Sequence, residues 1–183
     1  MSEIYPIIAV PDPVLKQVAQ PVDKVDSALQ AQLDKMYKTM RQAPGIGLAA
    51  NQIGLLNRVF VMHVDRPGYE ENEDSTDPVY LINPEIIWKS DEPSVLEEGC
   101  LSIPEQYAEV ERAAKVRVKY LDYYGKPQEM EGSGLVSHVI QHELDHLNGV
   151  LFIDYLSRLK RNMMIKRVRK LVKSEAGNDK TKL

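Results

Sequence analysis

SHVIQHELDH, residues 137–146, places three histidines at intervals of four. On a helix, side chains at i and i+4 stand one above the other on one face. His138, His142 and His146 would therefore stack along one side of such a segment. Within it, His142-Glu143-Leu144-Asp145-His146 fits H-E-x-x-H. In that pattern two imidazoles reach one metal ion, and the glutamate between them handles protons from a bound water. The alternative is an amphipathic helix that happens to carry a histidine pair. His138 and His142 make the same spacing, but Val139 follows His138, so that pair lacks the carboxylate. His142 and His146 are the expected ligands, and His138 is expected to be a pocket or packing histidine.

Two imidazoles do not complete a catalytic site, which has three protein ligands and one open position. In one protease variant a third histidine follows at a fixed offset. Gly149 echoes its glycine, but position 152 is Phe152. A glutamate ligand some 20 residues or more downstream would have to be Glu175, in a polar tail. The remaining soft donor is Cys100, within Glu97-Glu98-Gly99-Cys100-Leu101-Ser102. A thiolate binds transition metals strongly, and a bound ion keeps the thiol deprotonated. Spacing alone leaves Cys100 equally balanced between a ligand and an inert core thiol.

The surroundings suggest what holds this helix. Asp12-Pro13 opens a short helix through Val18, and Asp26 caps a second one. Leu29, Leu33, Met36, Tyr37 and Met40 give the second helix an apolar face. Strands are expected over 58–64, 79–88 and 108–121, the last alternating around Val116, Val118 and Tyr120. Tyr124-Gly125-Lys126-Pro127 is a hairpin turn, and Gly132 to Gly134 leads into the histidine helix. A final helix spans about Ser157 to Lys173, with Leu159, Met163, Val168 and Leu171 as its buried positions. Clustered strands between early and late helices predict an α+β domain, with N-terminal helices and a C-terminal helix. One domain is expected over 1–174, followed by a disordered polar tail at 175–183.

At 183 residues, 43% hydrophobic and 27% charged, the chain has a globular composition. No apolar run reaches membrane-spanning length, and the start lacks a basic signal-peptide region, so a cytoplasmic protein with no membrane partner is expected. The single cysteine excludes an internal disulfide. The stretch 65–77 holds six acids and one base and is read as a solvated loop. Between Ser157 and Lys173 stand eight Lys and Arg residues and no acid, although the whole chain nets −4. That asymmetry points to a polyanionic partner, against the plainer alternative of a solvated helix face.

Three motifs, GIGLAANQ (45–52), EGCLS (98–102) and QHELDH (141–146), together resemble the peptide deformylase family of bacterial type. The segment LFIDYLSRLK (151–160) resembles it too, so the likeness covers most of the chain; the acidic loop is longer than in compact members. The resemblance implies an α+β fold of antiparallel sheets around the central H-E-x-x-H helix, and removal of the formyl group from N-formylmethionine on nascent polypeptides, with release of formate. It implies Cys100, His142 and His146 as metal ligands, with Fe(II) the usual physiological ion and Zn(II), Ni(II) or Co(II) able to replace it. The ion would generate hydroxide from bound water, and Glu143 would move its proton to the departing amine. Gln52 and the Leu101 N–H would hold the oxyanion. The backbone of Gly45, Ile46 and Gly47, with Glu98 and Gly99, would lie along the peptide substrate. Ile46, Leu96, Leu135, His138 and Val139 would form the methionine pocket, in which His138 stands where an apolar residue is expected. Asn51 is left as structural. A monomer is expected, and the basic C-terminal helix suits contact with ribosomal RNA. Two rival readings share the histidines: a metallopeptidase with another third ligand, and a ribosome- or RNA-binding module with a structural metal.

Overall fold

The computed structural model of the protein describes residues 3–64 and 78–179. The acidic stretch 65–77 and the end of the expected tail, 180–183, lie outside the described residues. Asp12 caps a single 3-10 turn, Pro13–Lys16, by accepting from the Val14 N–H, which shortens the helix expected there. Helix α1 (Ser27–Gln42) starts at Asp26, whose side chain accepts from the Leu29 N–H. Strands β1 (Gly47–Ala49), β2 (Val59–Met62) and β3 (Val79–Lys89) follow. Then come β4 (Pro93–Cys100), β5 (Ile103–Ala113), β6 (Lys115–Leu121) and β7 (Pro127–Ser133). Helix α2 (Leu135–Leu147) carries the histidines, and α3 (Arg158–Asp179) closes the described chain.

The strands form two antiparallel sheets. One has the order β1-β2-β3-β6-β7, and β4 pairs with β5 alone. The five-stranded sheet is covered on both faces, which explains why β2 is an unbroken apolar run. Strand side chains alternate between faces. Val59 and Val61 point to Leu33, Met36 and Met40 of α1. Phe60 and Met62 point the other way, to Val139, Ile140 and Leu147 of α2. Helix α2 is thus seated against the sheet through one apolar stripe, and its histidines are buried with it.

The single strand expected over 108–121 is two strands in different sheets. Ala113 ends β5 opposite Pro93, and Lys115 begins β6 opposite Ser133. Apolar alternation continues through the break, so periodicity alone does not reveal it. The junction is fastened to α2, where the Ser137 hydroxyl and the Gln141 amide both donate to the Ala113 carbonyl, at 2.8 and 3.0 Å. Helix α3 also departs from expectation. Leu159 and Met163 are exposed, whereas Val168 is buried as expected and packs with Met164 and Ile165 onto Val10, Leu15 and Phe152. It runs on to Asp179, past the expected end at Lys173, with no proline to interrupt it. No helix among the described residues is long and apolar enough to cross a membrane.

Gly149, just beyond α2, has φ +72°, and a Cβ there would stand 2.4 Å from the Lys16 carbonyl oxygen. Gly149→Ala combines left-handed strain with a backbone collision. It should lower unfolding free energy by at least about 2 kcal/mol, read from the denaturant midpoint at unchanged m-value.

Candidate metal centre and active site

Cys100 ends β4, while His142 and His146 project from successive turns of α2. One ligand atom from each lies within 4.8 Å of the other two. Cys100 Sγ is 3.2 Å from His146 Nε2. Burial pushes His146 well below its ordinary pKa, which leaves a neutral imidazole with a lone pair to give. Burial works against charge on His142 as well, but hydrogen bonds to Cys100 and Glu98 outweigh it and draw a proton towards this ring. A thiol and two imidazoles whose ligand atoms converge are a donor set that suits a cation, so these residues fit a bound metal.

Glu98, one register step before the bulge that ends β4, fixes the geometry of α2. Its buried carboxylate takes Arg112 Nε at 2.5 Å and His138 Nδ1 at 3.2 Å on one oxygen. The other oxygen takes Arg112 Nη2 at 3.0 Å and His142 Nδ1 at 2.9 Å. Burial alone would raise its pKa, but His142 and Arg112 outweigh that and bring it down to about 2. An ionised carboxylate only accepts, so His142 Nδ1 carries the proton and Nε2 is left to bind a metal. Arg112 continues the chain to Asp145 at 2.8 Å, and Asp145 also accepts from the Tyr155 hydroxyl. Arg112 escaped the sequence reading, although a charge in step with buried Val110 on an alternating strand was a usable signal.

Glu143 is buried beside the ligands, and its Oε2 has no partner among the described residues. Burial lifts its pKa to about 7, against the pull of His142. A Cβ on Gly47 would meet Glu143 Oε1 at 2.3 Å, so this glycine makes room for the carboxylate. Gln52 is equally fixed. Its Oε1 accepts the Ala49 N–H at 2.9 Å, which turns its amide nitrogen towards Ser102 Oγ at 3.1 Å and Cys100 Sγ at 3.5 Å. Buried Asn51 donates to the Gln17 carbonyl at 2.7 Å.

A cavity of about 520 Å³ opens over these groups. Gly45, Ile46, Gly47, Gly99 and Leu101 border it on one side. Leu135, His138, Val139 and Glu98 border it with Gln52, Glu143, Cys100 and His142. Leu96 does not line it, although it shares a face of β4 with Glu98 and Cys100; it lies further back along the strand from the bulge at which the cavity opens. Glu98 does line it, but all its hydrogen-bonding capacity goes to Arg112 and the two histidines rather than to the opening. Tyr107, also missed in the sequence, lies over Gly99, where a Cβ would stand 2.6 Å from its ring.

The comparisons with known proteins agree with this geometry. The model of the polypeptide deformylase family matches residues 4–162. The peptide deformylase of Phenylobacterium zucineum is 55% identical over 171 residues, 93% of this chain and 98% of that protein. That of Mesorhizobium japonicum is 55% identical over 174 residues, covering 94% and 96%. Among solved structures, peptide deformylase from Ehrlichia chaffeensis superimposes with a TM-score of 0.89 at 36% identity, over 94% of this chain and 99% of that one. The same organism's enzyme in complex with actinonin gives a TM-score of 0.86 at 40% identity, over 93% and 98%. With a family model that spans most of its length and relatives that match nearly all of it, the chain belongs to the polypeptide deformylase family.

Proposed function

We propose that this chain removes the formyl group from N-formylmethionine at the start of nascent polypeptides, as one catalytic unit over 1–174, in the cytoplasm. The observation that carries the reading is the convergence of Cys100, His142 and His146 within 4.8 Å, beside a buried glutamate. A divalent ion held by these three, Fe(II) by family likeness with Zn(II), Ni(II) or Co(II) as substitutes, would lower the pKa of a water that it binds.

The chain's own residues supply the rest. Glu143, buried and raised to about 7, takes a proton from the attacking water and returns it to the amine nitrogen as the C–N bond breaks. Its poise near neutrality lets one carboxyl serve as base and then as acid. The Gln52 amide, held from behind by Ala49, and the Leu101 N–H are placed to receive charge that develops on the formyl oxygen. Gly45, Ile46 and Gly47 hold the peptide backbone, because β1 lies at the edge of its sheet and has a free side for a further strand. Ile46, Leu135 and Val139 shelter the first side chain. The products are formate and a peptide with a free amino terminus. An H-E-x-x-H peptidase is disfavoured because its downstream ligand position is Phe152, which packs in the core. A structural-metal module is disfavoured because such sites close with four protein ligands, whereas this group has three.

Helix α3 is proposed as the ribosome contact of a monomeric enzyme, on the strength of its unbroken basic run.

Glu143→Ala, with unchanged metal content, should lower formate release from a short formyl-methionyl peptide by about 10²–10⁴-fold. Equal rates in variant and wild type would exclude the assigned role. Cys100→Ser should bind Ni(II) or Zn(II) at least about 100-fold more weakly in a chelator competition, whereas a peptidase built on another third ligand would stay metallated. Reversal of charge at Lys166, Arg167 and Lys170 should abolish co-sedimentation with ribosomes at low salt and leave turnover of a free tripeptide unchanged.

A further inference from the structure

His138 is a buried polar residue on the cavity wall, where Leu135 and Val139 supply apolar surface beside it. Three uses are open to such a ring: a metal ligand, a proton carrier towards substrate, or a wall. The metal group comprises Cys100, His142 and His146 without it. Both of its nitrogens are already engaged. Nδ1 faces the Glu98 carboxylate at 3.2 Å, and since that carboxylate only accepts, Nδ1 bears a proton. Nε2 lies 3.1 Å from the Ser94 hydroxyl, which can donate or accept and so engages it in either protonation state. No lone pair or N–H is left for a ligand. With both nitrogens taken, what the ring can offer the cavity that it lines is its carbon surface.

We infer that His138 is a specificity-determining residue that reads the methionine thioether through the aromatic surface of a ring locked in place by Ser94 and Glu98. The inference rests on the deformylation reading above, since it takes the first side chain of a formylated peptide as the pocket's occupant. An aliphatic wall is indifferent to whether a linear side chain carries sulfur or a methylene at its third position. An aromatic wall is not, because sulfur is polarizable and makes favourable contacts at ring edges. The two hydrogen bonds matter because they hold the ring in one orientation, so the contact is preformed and needs no ordering when substrate binds.

The test pairs formyl-Met-Ala-Ser with formyl-norleucyl-Ala-Ser, which differ by sulfur against methylene. Wild type should favour the methionine peptide by about two- to tenfold in kcat/KM, the range that a sulfur–aromatic contact supplies. His138→Asn keeps a donor for Glu98 but removes the ring, and should bring the ratio to about one. His138→Phe keeps the ring and should retain the preference. Equal kcat/KM for the two peptides on wild type, or an undiminished preference in His138→Asn, would overturn the inference. Each ratio is internal to one protein, so a general loss of stability or turnover in a variant does not disturb it. The same peptides titrated calorimetrically onto Glu143→Gln protein read binding without turnover. A matching affinity ratio there, with no formate from wild type, would uphold the pocket and sink the reaction. Formate release with equal affinities and equal rates would sink the pocket alone.

Discussion

A carboxylate sealed inside a protein survives as an anion only where donors and positive charge surround it. Glu98 meets that condition with four hydrogen bonds, two from Arg112 and one each from His138 and His142. These bonds join the adjacent strands β4 and β5 to α2, which comes later in the chain after two further strands. They also decide which nitrogen of His142 carries its proton. Loss of one partner would leave a buried charge uncompensated, a change that costs about 3–5 kcal/mol in comparable pairs. Fold and chemistry therefore depend on the same carboxylate.

The division into two sheets gives the site its shape. Gln52 follows β1 at the edge of the five-stranded sheet, and Cys100 ends β4 in the two-stranded one. Helix α2 lies against the first sheet and reaches the second through Glu98 and Arg112. Catalytic groups thus approach from three supports, each with its own packing. Rigid placement of this kind suits a reaction in which donors must be aligned before charge develops.

How much of this was legible in the sequence follows from the range of each interaction. H-E-x-x-H sits within one helix, so its histidines and glutamate could be read directly from the i, i+4 spacing. The apolar face of α1 was legible for the same reason. Cys100 could not be chosen by spacing, because 42 residues and three strands separate it from His142, and it took the likeness of three motifs to nominate it. Arg112 and the Ser94–His138 bond depend on strand pairing and on the seat of α2, neither of which local pattern encodes. The split at Ala114 was hidden because alternation continues while the strand changes partners. Leu159 and Met163 misled because a highly charged helix offers several plausible apolar stripes, and only its docking surface selects one.

The glycines around the cavity carry a consequence for how such a sequence can diverge. At 45, 47 and 99 an added methyl would collide with Leu101, Glu143 and Tyr107, respectively. Exchange of glycine for alanine is ordinarily among the mildest changes a lineage can accept. Here it would have to displace the Glu143 carboxylate or the walls of the opening. The opening thus owes part of its shape to absent side chains, and a molecule that fills the space beside these glycines would meet Leu101, Glu143 and Tyr107 directly.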